Sequence, residues 1–253
     1  MDISVILTTA RFGGFDCLFN SMLAQEFDSF EVIVVDEFYE KRCGLPSEHE
    51  CRIYDLALRL NAEGVNFKFV HLLPKRECRI YDDSVGMNTA LAAASGELIV
   101  VLADYTWAPP DYLQAQWDFY KSNSGWSMSC YLDRYPLPPM KGDPYSIERD
   151  WWSVFANDFS ASWFNGQEPI YRERRGNVGK VQPDGKVEIP GDYVYLLGDS
   201  VPLSVAKELN GIDERYVGGY GSNDIDLGTR ANHVGHRFAL NPNVKLRKMT
   251  LSH

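Results

Sequence analysis

The residues 217–227, VGGYGSNDIDL, bring together types that chemistry uses. Gly218, Gly219 and Gly221 let the backbone turn with positive φ or approach a ligand closely. Tyr220 sits among them as a flat, amphipathic platform. Asp224 and Asp226 follow in what reads as the first turn of a helix capped by Ser222 or Asn223 and running through Ile225, Leu227 and Ala231. Carboxylates there face free N–H groups and a positive dipole, so helix capping is one reading. A glycine-bounded aromatic followed at once by a carboxylate is also how a site holds a sugar ring beside a base.

Two further carboxylates stand where strands end. Ile3–Thr8 (ISVILT), Phe30–Val35 (FEVIVV), Phe67–Leu73 and Leu98–Leu102 (LIVVL) are short, nearly all-apolar runs. Each reads as a strand buried on both faces. Helical patterns fall between them: one capped by Asp16 through Leu18, Met22 and Leu23, one over Arg52–Ala62, and an Ala-rich one over Asn88–Ser95 closed by Gly96 as C-cap. Strand, helix and strand in alternation describe a parallel sheet covered by helices. In such sheets ligands bind at the carboxyl ends of strands, where Asp36 and Asp104 fall.

Further on, Asp111–Lys121 reads as a helix, Trp126–Leu132 as a strand, Ser200–Leu209 as a helix, and HRFALNPNVKLR (236–247) as a final strand. Between residues 133 and 198 the composition shifts. Tyr135, Tyr145, Trp151, Trp152, Trp163, Tyr171, Tyr193 and Tyr195 are interleaved with Pro and Gly, and PDGK (183–186) reads as a hairpin turn. That segment is either a small second core or a platform of stacking aromatics.

At 253 residues with 45% hydrophobic and 24% charged side chains, the chain suits one large domain. A net charge of −10 argues against a non-specific binder of nucleic acid, leaving Arg172–Arg175 as a local basic patch. Five scattered cysteines (17, 43, 51, 78 and 130) without zinc spacing point to reduced thiols, and no apolar run has the ~18 residues of a membrane span. The expected location is the cytoplasm. His49, His71, His233 and His236 read as structural or solvated.

The order ISVILTT, FEVIVVDE, N-x-ALAAASGELIVVLAD and LNGIDERYVGGYGSNDIDLGTR resembles inverting glycosyltransferases of the GT-A fold, family 2 and its relatives. The last block is also similar to the carboxyl half of galactosyl- and N-acetylgalactosaminyl-transferases. The likeness covers about the first 110 and last 55 residues. It implies a single GT-A domain over 1–253: a mainly parallel central sheet flanked by helices, with a nucleotide-sugar half (1–110), an aromatic-rich acceptor-side insertion (133–198) and a catalytic half (199–253).

The resemblance further implies Thr8, Thr9 and Arg11 at the nucleotide, Asp36 on the base or ribose, and Asp83 and Asn88 lining the nucleotide-sugar pocket. Asp104 falls at the metal-binding Asp-x-Asp motif. Gly219, Tyr220, Gly221 and Asn223 are implied to contact acceptor or donor sugar, Asp224 to be the catalytic base, and His253 to fall near the family's third ligand position for Mn²⁺ or Mg²⁺. The implied donor is a nucleotide-sugar, a UDP-sugar by preference, and the acceptor a glycan or another hydroxyl. The chain departs from the family in two places: LADYTWAPP lacks one carboxylate of Asp-x-Asp, with Thr106 as the substitute if Asp104 is the first aspartate and Tyr105 if Asp104 is the middle residue, and Asn223 stands where Glu is frequent. Two rivals remain open, a nucleotidyltransferase and a non-catalytic sugar-binding module.

Overall fold

The computed structural model describes residues 1–9, 15–37, 67–75, 83–136, 164, 166–171, 175–216 and 222–250. Strands β1 (Ile3–Thr9), β2 (Phe30–Asp36), β3 (Lys68–Leu72) and β4 (Leu98–Val101) run parallel in the order β3-β2-β1-β4. Their continuous apolar sequences are explained by burial on both faces. Val5, Leu7, Val32, Val34, Leu98 and Val100 face one core with Leu18, Phe19 and Met22 of helix α1 (Phe15–Leu23). Ile6, Ile33, Val35, Ile99 and Val101 face the other. The switch between cores at every residue is the period of two that a pleated strand imposes. The chain thus has an α/β architecture with a mostly parallel central sheet.

A buried carboxylate ties the amino ends of these strands together. Glu31 Oε1 accepts from Ser4 Oγ (2.7 Å), Ser95 N (2.7 Å) and Ser95 Oγ (2.8 Å), and Lys68 Nζ reaches Oε2 at 3.3 Å. Burial alone would push its pKa up, but these donors outweigh it and hold the carboxyl below its ordinary range. Helix α2 (Asp83–Ala93) starts five residues earlier than its Ala-rich pattern suggests, because Asp83 stabilises its first turn, and it ends at Ala93. Gly96 is therefore not its C-cap. A Cβ there would lie 2.4 Å from Ser4 N and 2.5 Å from the Ile3 carbonyl carbon, so glycine is required by close backbone approach to β1.

Beyond β5 (Thr106–Trp107), helix α3 (Tyr112–Ser122) packs Tyr112 and Leu113 into the first core. A second sheet follows from β6 (Trp126–Pro136), which outruns the expected strand by four residues. β7 (Lys180–Val181) and β8 (Val187–Ile189) form the hairpin around the PDGK turn, where Gly185 has φ +86° and Gln182 N donates to Lys186 O at 2.7 Å. The segment expected as one helix over 200–209 divides in two. Ser200–Pro202 is β9, antiparallel to β4, and only Leu203–Glu208 is helical (α4). Pro202 explains the break, since its φ of −60° with ψ 138° is extended and it carries no amide donor.

Helix α5 (Asn223–His233) follows the 3₁₀ turn Glu214–Tyr216 and buries Leu227 and Ala231 in the second core. β10 (Arg237–Thr250) then pairs parallel with β6 and antiparallel with β5 and β8, its register shifting between Asn241 and Lys245. Described residues of the aromatic segment pack onto this framework: Tyr135 meets Phe164 edge-on at 5.0 Å, and Arg175 lies 5.0 Å over Tyr195. The aromatics Tyr145, Trp151, Trp152 and Trp163 and the helical pattern over Arg52–Ala62 lie outside the described residues.

Candidate functional site

Register places the first cluster. Thr9 pairs with Asp36 across β1 and β2, Glu37 N donates to Thr9 O at 2.9 Å, and Leu102 N donates to Ile6 O at 3.1 Å. The carboxyl ends of β1, β2 and β4 therefore form one edge. There the buried Asp104 carboxylate accepts from Thr9 Oγ1 at 3.2 Å. Asp36, fully buried, meets His71 Nε2 of β3 at 3.1 Å. His71, read from sequence as structural or solvated, is the partner that reading missed. Parallel registry of Val34 with His71 is what brings it there.

The second cluster joins two helix starts. Asn223 Nδ2 donates to Asp83 Oδ1 at 2.6 Å and to Ser84 Oγ at 3.1 Å, while Asn223 Oδ1 accepts from Asp224 N at 3.0 Å. Asp224 Oδ1 accepts from Ile225 N at 2.8 Å. Burial pushes the Asp224 carboxyl pKa up, Asp199 adds to the rise, and the first-turn N–H groups oppose it. Gly86 packs α2 onto the first cluster, since a Cβ there would lie 2.7 Å from Thr8 Cγ2. Thr8, Thr9, Asp104, Asp83, Asn223 and Asp224 thus follow one continuous run of packed elements. Arg11, Gly219, Tyr220, Gly221 and His253 lie outside the described residues.

Of the four described non-glycine residues with positive φ, Tyr105 and Ser222 adjoin the two clusters, whereas Leu196 and Asn210 lie elsewhere. Tyr105, next to Asp104, has φ +58° while fully buried, and its carbonyl is held by Met249 N at 2.9 Å. Ser222, next to Asn223, has φ +81° and makes no side-chain cap bond. Non-glycine residues adopt such angles at a cost that surrounding structure must offset, and they gather at functional positions.

Asn88 turns elsewhere. Its Nδ2 donates to Ile212 O and Glu214 Oε1, both at 2.8 Å, and its Oδ1 accepts from Ile212 N at 2.8 Å. It pins α2 to the turn before the 3₁₀ segment. An open cleft of about 810 Å³ lies on this side, between α2, α4 and residues 209–215. Most of its charges are paired, Lys75 with Glu214 and Arg215 with Asp213 within the lining and Arg230 with Asp226 beyond it, and it includes none of Asp36, Asp104 or Asp224.

Among the described residues no three His, Cys, Asp or Glu side chains cluster as a metal cage. Asp104 does supply one hard oxygen donor group at a strand end. That donor set fits a cation held largely by a ligand's own phosphate oxygens, as Mg²⁺ sites commonly are.

No family model and no curated protein matches the sequence. Solved structures do match in shape. Staphylococcus aureus TarS 1–349 in complex with UDP-GlcNAc aligns with 100% of this chain and 60% of its own, at 15% identity and TM-score 0.60. The mannosyltransferase PcManGT from Pyrobaculum calidifontis, in complex with GDP-Man and Mn²⁺, aligns over 97% of this chain and 56% of its own, at 16% identity and TM-score 0.54. GalNAc-T7 with UDP, GalNAc and Mn²⁺ aligns over 99% of this chain and 44% of its own, at 12% identity and TM-score 0.63. The chain spans 44% to 60% of the length of these structures' chains. What they share with it is the GT-A fold.

Proposed function

We propose that this chain, from its GT-A fold and the carboxylates at its strand ends, transfers a sugar from a nucleotide-sugar, a UDP-sugar by preference, to a hydroxyl acceptor with inversion. The observation that carries the reading is Asp224. Its carboxyl group is partly buried and raised in pKa, and it opens a helix whose start is tied through Asn223 to the start of α2. A general base needs a pKa drawn toward the working pH and a fixed position beside the proton it removes.

In this reading the acceptor hydroxyl gives its proton to Asp224 as its oxygen bonds to the anomeric carbon. The bond from that carbon to the nucleoside diphosphate breaks on the opposite face, so configuration inverts in a single displacement. Asp36, held by His71, accepts from the nucleoside, and Thr8, Thr9 and Asp83 line the donor side. Arg11, Gly219, Tyr220 and Gly221 are proposed to complete the donor and acceptor contacts. Asp104, with His253, would hold a divalent cation, Mn²⁺ or Mg²⁺, whose chemistry when bound is to offset charge on the departing diphosphate. The Mn²⁺ in two fold neighbours supports the use of a divalent cation. A cytoplasmic setting belongs to the same proposal; among the described residues no helix is long and apolar enough to cross a membrane.

The test is UDP release from a panel of UDP-sugars by wild type and Asp224→Asn. General-base removal predicts a loss of about 100-fold or more in turnover, with nucleotide binding retained. Unchanged turnover would contradict the assignment, and binding without turnover in the wild type would favour a non-catalytic module.

A further inference from the structure

The geometry points to Asn223 as a positioning residue: its amide clasps the first turns of α2 and α5 and thereby sets where Asp224 stands. The inference rests on the reading of Asp224 as base. Asn223 is buried, and both hydrogens of its amide are committed, one to Asp83 Oδ1 and one to Ser84 Oγ, leaving no donor for a sugar hydroxyl. The amide orientation is forced from both sides. An ionised Asp83 only accepts, so Nδ2 must face it, and the Asp224 N–H only donates, so Oδ1 must face that. One side chain therefore links the donor-side helix to the backbone of the residue that bears the base.

The same contact explains why an amide stands here. Asp83 Oδ1 lies 2.6 Å from Asn223 Nδ2, so a carboxylate at 223 would set two negative charges at hydrogen-bond distance. Two carboxylates that close cannot both ionise without repulsion, and one moves or takes up a proton. Either response shifts the start of α5, and a misplacement of about 1 Å in a catalytic group costs on the order of 100-fold in rate.

The experiment is a charge-exchange cycle of Asn223→Asp, Asp83→Asn and the double variant, in the full chain. Thermal unfolding without ligand and steady-state UDP release from a UDP-sugar are measured on each. Asn223→Asp is expected to lower both Tm and kcat, kcat by roughly 30–100-fold, with a smaller change in donor KM. Asp83→Asn keeps an acceptor for the Asn223 amide and should cost little in Tm. In the double variant the same hydrogen bond re-forms with donor and acceptor exchanged, so Tm should recover most of what Asn223→Asp lost, and kcat should return to that of Asp83→Asn alone, the reference that carries any donor-side effect of Asp83. Additive Tm changes would overturn the clasp itself. Coupled Tm changes with an unaltered kcat in folded Asn223→Asp would overturn the positioning role. A wild type that neither binds nucleotide nor releases UDP would overturn the transferase reading instead, while the Tm cycle would still decide the clasp.

Discussion

Replacing Arg175 with methionine should be among the most damaging single changes in the chain. Arg175 and Asp199 are both almost wholly buried, with NH1 3.2 and 3.1 Å from the two carboxylate oxygens. The guanidinium also donates to the carbonyls of Tyr193 and Cys130, and Tyr195 N donates to Asp199 Oδ2 at 2.9 Å. At their separation of 3.1 Å and an effective dielectric constant of about 20, the pair attraction is about 5 kcal/mol. Breaking a buried pair by removing one partner costs about 3–5 kcal/mol, because the remaining charge stays buried without its counterion. At roughly 2–4 °C per kcal/mol for a chain of this size, a loss of about 4 kcal/mol lowers Tm by about 8–16 °C. Differential scanning calorimetry of Arg175→Met, Asp199→Asn and the double variant is the assay. The double variant, which buries no stranded charge, should be more stable than Arg175→Met. A Tm for Arg175→Met within about 3 °C of wild type, or no recovery in the double variant, would refute the reasoning.

Three other outcomes follow from the same geometry. Burial depresses the His236 pKa from 6.5 to about 4, and its Nε2 sits 2.9 Å from Ser127 Oγ. Its unfolded form therefore binds a proton first as pH falls, and about 3 kcal/mol of stability is lost between pH 6.5 and 4. Urea unfolding at pH 7 and pH 4 should show that loss in wild type and a smaller one in His236→Asn. Asp224, raised by burial, must be ionised to accept a proton, so kcat should fall on the acid side at a pH above that of an ordinary carboxylic acid; a flat acid limb would speak against this residue as the base. Gly96→Ala should destabilise by about 1–3 kcal/mol or more, since its methyl group would meet backbone atoms of Ile3 and Ser4 that cannot swing away; denaturant midpoints measure it.

The parallel core was legible because full burial leaves a continuous apolar signature, and β1, β2 and β4 agree with their sequence patterns to within a residue. What was not legible is non-local. Pro202 is a local sign that the helix begins after it, but only pairing with β4 makes Ser200–Pro202 a strand, and the expected helix began three residues too early. Parallel pairing of β6 with β10, more than a hundred residues apart, was likewise invisible. The same holds at the site. Asp36 and Asp104 stood out as strand-end carboxylates, yet the partners that orient them, His71 and Thr9, depend on register between strands. Asn223 was implied as a sugar contact by the family resemblance. Only the convergence of α2 with α5 shows its amide occupied by Asp83 and Ser84.

The most direct measurement of the central claim is a thermal-shift panel of UDP, GDP, CDP and dTDP, each with Mn²⁺, Mg²⁺ or EDTA. A ligand at a hundredfold excess over its Kd stabilises the native state by about 2.7 kcal/mol, or about 5–11 °C for a chain of this size. The account predicts such a shift for UDP, larger with Mn²⁺ than with EDTA, and diminished in Asp36→Asn. No shift with any of the four nucleotides would contradict a nucleotide-sugar site at these strand ends.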